Sequence, residues 1–477
     1  RYRLGRSRKP INVIVLDIEG THICVPFFIK FTPMFAHKHI KPLLLSIVCI
    51  GFMQSACQNA KETENKVIQN DILSICNVAI QNAIVVDHVA APVGSRRYVY
   101  ASIAAYESLV PFYPDYKSVA PVMNGLKATP APDTTQKYCL DLVAMAAHTY
   151  VSQKLVYKED SIANFRSRQL NFYKDKMSNS MFEASISYGD SVGSHIVKWS
   201  KSDSFSYFRG REFFLTNNNP GSWEQTPPDF MEAIEPNWGR IRPVLVKSVS
   251  EFQYDAPEPY STDKKSRFYA ITKEVYDTVN AKDTNQLRTA WYWDDNPNAS
   301  VHYGHATINV LKVSPAGHWL SMFSTVARSK KYSLIETADG MMRLSSAIFD
   351  AFISCWYVKY KTDYLRPITA IHDLIDSSWS SPIQTPAFPE YPSGHSVVSS
   401  AAATVLTATF GEYEFTDSAE YQFGLGIRKF KNFREASNQA CISRLYGGIH
   451  FIDAIQNGKK LGNEVGNYHV THLKTKK

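Results

Sequence analysis

The stretch KVIQNDILSICNVAIQNAIVVDHVA, residues 66–90, places Val, Ile, Leu and Ala side chains at three- and four-residue steps. That spacing lines one face of an α-helix. The pattern continues over 94–109, and residues 135–157, 159–178 and 181–200 read as further helices with polar faces. Between about 201 and 262 the chain changes character: NNNPGSWEQTPPDF and EPNWGRIRP are dense in Pro, Gly, Asn and Trp. The segment is too long and aromatic for a flexible linker, so it predicts an ordered excursion over the surface. Helical spacing resumes at about 264–281, 303–313, 317–328 and 332–360, then at 395–410, 416–437 and 450–466. Strand-like alternation is scarce, and no internal repeat or low-complexity tract is visible. The expected fold is all-α, one large helical bundle with long ordered loops.

The composition agrees. Hydrophobic residues make up 44% of the 477 and charged residues 20%, which excludes disorder, collagen and coiled coil. The aromatic share, 13%, predicts an aromatic-heavy core. The net charge of +8 is concentrated at the front. Residues 1–56 hold eight Lys/Arg against Asp17 and Glu19, while the remaining chain is nearly neutral. A broad phosphate-backbone footprint is unsupported, so nucleic-acid binding is set aside.

The same first 56 residues read as a leader. From Met34 the text runs MFAHKHIKPLLLSIVCIGFMQSAC, with Lys38 and Lys41 before an apolar run from Leu43 to Met53. Such a run is too short to span a bilayer and suits a secretory signal. Ser55 and Ala56 before Cys57 resemble a bacterial lipoprotein processing site, although Gln54 departs from the usual aliphatic residue. Cleavage by simple signal peptidase is the other reading. Residues 1–33 are read as non-native upstream sequence. The expectation is an exported bacterial protein, periplasmic or an outer-membrane lipoprotein, touching membrane only through a lipid on Cys57. Residues 57–262 would form an N-terminal helical and loop region. Residues 263–477 would form a C-terminal helical catalytic region, packed with the first as one unit. The seven cysteines (24, 49, 57, 76, 139, 355, 441) form no CxxC pair, so no zinc site is encoded; disulfides stay open.

Three segments carry chemistry. In FDAFISCWYVKYKTDYLRP (349–367), Lys359 and Arg366 are seven apart, two turns on a helix, with Pro367 expected to stop that helix just after Arg366. Phe352, Ile353, Trp356 and Tyr360 make it a buried helix, and buried cations need an anionic partner. In TPAFPEYPSGHSVVSSAAATVLTATF (385–410), a Pro-stiffened loop delivers Ser393, Gly394 and His395 to the start of a small-residue helix. A Ser cap, a glycine amide and a helix N-terminus make an anion cradle. In CISRLYGGIHFIDAI (441–455), Arg444 and His450 could not share a face of one continuous helix. Gly447 and Gly448 can break it and re-aim His450 toward Arg444. Each segment alone has a bland reading: a solvated face, a capped helix with an incidental His, a core His beside a turn. Together they offer three cations, a hydroxyl and two imidazoles, the inventory for a tetrahedral oxyanion with a proton-transfer group to spare.

K-x6-R-P, P-S-G-H and S-R-x5-H in this order resemble the signature shared by vanadium-dependent haloperoxidases and type 2 phosphatidic acid phosphatases. WEQTPPDF, EPNWGRIRP and SPAGHWLSM resemble the bacterial haloperoxidase branch in particular. The resemblance implies that Lys359, Arg366, Ser393, Gly394 and Arg444 hold the oxyanion's oxygens. It makes His450 the ligand to vanadate or the nucleophile on phosphorus, His395 the acid–base group, and Lys359 the group that polarises the oxidant. It places Asp350, Trp356 and Phe388 beside the site. The family's Asp four residues after the last His is Ala454 here, with Asp453 one residue early, which leaves the carboxylate supporting His450 open. Two activities follow: a haloperoxidase using vanadate, hydrogen peroxide and halide, or an acid phosphatase needing no cofactor and taking a phosphate ester. A non-catalytic oxyanion-binding surface lipoprotein is a third reading, and a homodimer stays open.

Overall fold

The computed structural model describes residues 15–18, 21–24 and 71–477, apart from 210–213, 218 and 304. The signal, the processing site and Cys57 lie outside the described residues. Within a unit spanning Arg1–Lys61, β1 (Val15–Ile18) and β2 (Thr21–Cys24) pair antiparallel, Val15 opposite Cys24.

Glu62–Lys477 forms the second unit. It opens with α1 (Ile72–Val86), α2 (Ala91–Leu109), α3 (Leu140–Leu155), α4 (Glu159–Lys174), α5 (Asn179–Ser200) and the short α6 (Phe205–Arg209). After the loop section come α7 (Arg267–Asn280), α8 (Thr284–Tyr292) and a hairpin of β3 (Ser300–Tyr303) with β4 (Ala306–Asn309). Next are α9 (Pro315–Ser329), α10 (Leu334–Thr362), α11 (Pro367–Leu374) and α12 (Gly394–Phe410). A second hairpin, β5 (Phe415–Asp417) with β6 (Arg428–Phe430), precedes α13 (Phe433–Tyr446) and α14 (Ile452–His472). Among the described residues no helix is long and apolar enough to cross a membrane. Cys76, Cys139, Cys355 and Cys441 are all free thiols.

α10 is the axle. Glu336 starts it, accepting from the Ser333 backbone N–H (2.9 Å) and hydroxyl (2.7 Å). The helix is buried almost throughout and packs against α2, α9, α12 and α14. On α14, Gly458, Gly462 and Gly466 recur every four residues and face α12. A Cβ at Gly462 would stand 2.2 Å from the Val397 carbonyl oxygen, and one at Gly458 2.8 Å from the Ser393 carbonyl oxygen. With no side chain in the way, the two backbones lie in contact, and the Ser393 N–H donates to the Ala454 carbonyl (3.0 Å). The first turns of α12 and α14 are thereby tied together.

The loop section is ordered, as its aromatic content predicts. Trp238 is buried, and the Ile234 carbonyl accepts from the Trp356 indole (3.2 Å) and the Tyr360 hydroxyl (2.7 Å). Two expected helices are absent. Residues 303–313 begin inside the β3–β4 hairpin, where β-branched Val301, Thr307 and Ile308 favour strand. Residues 416–437 hold the β5–β6 hairpin, with Gly424 and Gly426 at positive φ between its strands. Helix begins only at Phe433, where the Asn432 side chain accepts from the Glu435 N–H (2.8 Å).

Candidate active site

The three segments meet. Gly394, His395, Arg444 and His450 line one small cavity of about 40 Å³, with Trp356 and Phe388 as its apolar wall. Lys359, Arg366 and Ser393 are fully buried, and the Lys359 and Arg366 cations lie over the Phe388 ring.

The route to Arg366 corrects the expectation. α10 ends at Thr362, Asp363 turns left-handed (φ 47°), and Arg366 caps the next helix with Pro367 in its first turn. The residue before proline is driven to extended backbone, and Arg366 has ψ 155°. Lys359 and Arg366 therefore do not share a helix face; they converge from the end of one helix and the start of another. Both grip the Pro-rich loop. Lys359 Nζ donates to the carbonyls of Pro389 (2.7 Å) and Glu390 (2.9 Å), which uses two of its three donors. Arg366 Nε donates to the Phe388 carbonyl (2.9 Å) and Nη1 to the Ile449 carbonyl (2.9 Å), while Nη2 is buried with no partner.

Ser393 is the N-cap of α12, its hydroxyl accepting from the Ser396 N–H (3.4 Å). Gly394 follows at the helix N-terminus, against Trp356 and Lys359. α13 ends at Tyr446, and Gly448 turns left-handed (φ 72°), as the glycine pair predicts. Arg444, on the last turn of α13, donates to Ser443 Oγ (3.1 Å) and the Ala290 carbonyl (3.3 Å), with Asp294 Oδ1 at 4.0 Å.

His450 shows a defined tautomer. Its Nδ1 lies 2.8 Å from Glu390 Oε1, which also accepts the Phe451 N–H (3.0 Å). A carboxyl oxygen there assigns the proton to Nδ1 and leaves the lone pair on Nε2, toward which Arg366 Nη1 points at 3.3 Å. Burial, then Arg366 and Lys359, hold the imidazole well below its ordinary pKa, so it is neutral. Glu390 is thus the carboxylate that sequence reasoning left open. Asp453 is not in the site: it pairs with Arg267 at the surface (2.5 Å).

Asp350 is a second correction. Its carboxylate accepts the backbone N–H groups of Val244 (2.8 Å), Leu245 (3.0 Å) and Val246 (2.9 Å) and bonds His469 Nε2 (3.0 Å). It fastens the loop section and the last turn of α14 rather than bordering the cavity.

Burial reshapes the charges. It depresses Lys359 to about 7 and Arg366 to about 10, and pushes Glu390 up to about 8 against the pull of Arg366 and Lys359. His395 is driven well below its ordinary value by burial, then Arg444 and His318. Its ring bonds the Trp293 backbone, and its buried Nε2 has no hydrogen-bond partner. The unpartnered Arg366 Nη2 and the depressed cations at this buried cavity fit an anionic guest, and the forked Arg366 and Arg444 suit tetrahedral oxygens such as those of vanadate.

Sequence reasoning missed Glu390, Asp294, Asp295 and His318. The signals were a lone acid in PEYPSGH, the paired acids of WYWDD, and the His of SPAGHW.

Residues 340–476 match the family description VCPO second helical-bundle domain. No curated protein matches the chain. The crystal structure described as the first bacterial vanadium-dependent iodoperoxidase is 37% identical, with a TM-score of 0.80 over 85% of this chain and 97% of its own. Apo and holo structures of a bacterial vanadium-dependent chloroperoxidase, 15% and 16% identical, share the fold. Each has a TM-score of 0.61 over 80% of this chain and 93% and 91% of theirs. The chain is an enzyme of the haloperoxidase–phosphatase type and belongs to the vanadium haloperoxidase superfamily.

Proposed function

We propose that the protein is a vanadium-dependent haloperoxidase, converting halide, hydrogen peroxide and a proton into hypohalous acid and water. The observation that carries this reading is His450, a cavity-lining imidazole whose Nδ1 is held by Glu390 Oε1 and whose Nε2 meets only the Arg366 guanidinium. An imidazole so oriented is a ligand. His450 would bind vanadate, with Lys359, Arg366, Ser393, Gly394 and Arg444 holding its oxygens. When bound, vanadate supplies a Lewis acid of constant oxidation state.

The chain's own residues do the rest. His395, with a free Nε2 in the cavity, accepts a proton from hydrogen peroxide and returns it to the departing oxygen. Lys359, recharged by the anion, polarises the oxidant through its third N–H. Trp356 and Phe388 exclude water beside the halide. Iodide, the most easily oxidised and least hydrated of the common halides, suits so apolar a wall, and the 37% identical relative is named an iodoperoxidase.

The same imidazole could attack phosphorus, with Arg366 and Arg444 stabilising the equatorial oxygens and His395 protonating the leaving alcohol. One paired assay separates the two. Protein reconstituted with vanadate should iodinate an indicator dye when given peroxide and iodide, and His450→Ala should abolish this. Phosphate release from p-nitrophenyl phosphate without dye turnover would hand the site to the phosphatase reading. The third reading rested on the misplaced Asp453; with Glu390 in its place, that motive is gone.

A further inference from the structure

Behind the cavity lies a buried cluster that the reaction above leaves unused. His318, on α9, is wholly inside the protein, stacked on Trp293 with ring centroids 4.7 Å apart. Its Nδ1 lies 3.1 Å from both oxygens of Asp295, and its Nε2 lies 2.8 Å from Asp417 Oδ2. Two carboxylates on opposite ring nitrogens leave no acceptor role for either nitrogen, so the ring is an imidazolium with both protons engaged. Burial opposes that charge, but Asp295 and Asp417 outweigh it and hold the His318 pKa well above its ordinary value.

Asp295 looks both ways. It grips His318 on one side, and on the other its Oδ2 stands 4.0 Å from the unpartnered Nε2 of His395.

We infer that His318 is a positioning residue for His395, acting through Asp295: the imidazolium pins the Asp295 carboxylate at the cavity wall and offsets its charge. The inference rests on the reading of His395 as the group that moves protons.

The surroundings support the direction of the effect. From α8, the Tyr292 hydroxyl donates to Asp417 (2.7 Å), with Arg428 of β6 over its ring. Glu420, 3.9 Å from His318, is pushed up to about 8 by burial and then by Asp295, so it holds its proton near neutrality. Asp294 is paired with Lys312. Arg444 of α13 faces both Asp294 and Asp295 from the cavity side. The His318 charge is therefore the one that balances Asp295 within the cluster itself. Without it, Asp295 would keep only Arg444 as a counter-charge, and the proton affinity of His395 would rise.

The test is the pH dependence of His318→Gln against the unmodified protein. Two readouts depend on His395 protonation: the acid limb of kcat/KM for peroxide in the vanadate-loaded enzyme, and molybdate affinity of the vanadate-free protein. Molybdate is a tetrahedral anion, and a protonated His395 strengthens its binding. Both transitions should move upward by about one pH unit in the variant, the size expected for one neighbouring charge. Asp417→Asn, which removes one of the two clamps and lets His318 lose its proton, should move them the same way by less, and carries the test if His318→Gln does not fold. A shifted molybdate profile with no peroxidase activity would sustain this inference while removing the proposed reaction. Superimposable profiles in folded variants would overturn it. So would one equivalent of divalent metal in the purified protein, lost on His318→Gln, because the carboxylates would then be metal ligands.

Discussion

Lys359 should make oxyanion binding consume a proton. In the anion-free protein, burial holds its pKa at about 7, and two backbone carbonyls take two of its donors. An anion in the cavity favours the ammonium form and moves the pKa back toward its ordinary value. The sign follows: affinity contributed by Lys359 is fully present below pH 7 and is lost as pH rises through 7 toward the bound-state pKa. At about pH 7.5 roughly three quarters of the free protein's Lys359 is neutral, so binding takes up about 0.75 proton. Each further pH unit costs about 1.4 kcal/mol, a tenfold loss of affinity. Glu390, near 8, is about one quarter ionised at this pH and adds up to about 0.25 proton, with more at higher pH. Titration calorimetry with molybdate, which does not itself titrate in this range, reads the proton number from buffers of different ionisation enthalpy. Lys359→Met should remove most of the uptake at this pH and weaken binding below it. Tight molybdate binding by the unmodified protein with no proton uptake would refute the reasoning, as would a variant that takes up as much.

Glu390→Gln keeps the shape of the Glu390–His450 pair but offers a weaker acceptor to Nδ1. It should lower vanadate affinity and activity by roughly 10–100-fold, read as the vanadate concentration needed for half-maximal reactivation. Gly462→Ala inserts a methyl 2.2 Å from the Val397 carbonyl oxygen. It should destabilise the protein by about 1–3 kcal/mol in urea unfolding, and an unchanged midpoint would count against the backbone contact. Asp350→Asn replaces an acceptor of four hydrogen bonds with a group that must turn a donor toward one of them. A loss of about 3–5 kcal/mol is expected in the same experiment, with the iodide KM of the surviving folded enzyme unchanged.

The parts of the site legible in the sequence were those whose local chemistry carries the signal. Ser393 before a small-residue helix, the Gly447–Gly448 break and the buried aromatic helix ahead of Lys359 are short-range features. Arg366 was misread because the chain turns left-handed at Asp363, a non-glycine residue, four positions before the proline. Pro367 then opens a helix instead of closing one. Asp350, Glu390 and His318 depend on partners 23 to 119 residues away, and no spacing rule encodes those distances. The register of Asp453 was a true departure, and its physical answer came from a different loop. The two missed hairpins are short, with β-branched and glycine content that a helical period search passes over.

The contact between α14 and α12 bears on how such an enzyme can change its substrate. His395 rides the first turn of α12, and His450 precedes α14 by two residues. Their separation is set where two main chains touch, through three absent methyl groups, rather than by any interlocking of larger side chains. Trp356, Phe388 and Ile234 can then be exchanged for other shapes without spreading the two imidazoles. The reactive gauge stays constant while the vestibule is retailored for a new reductant.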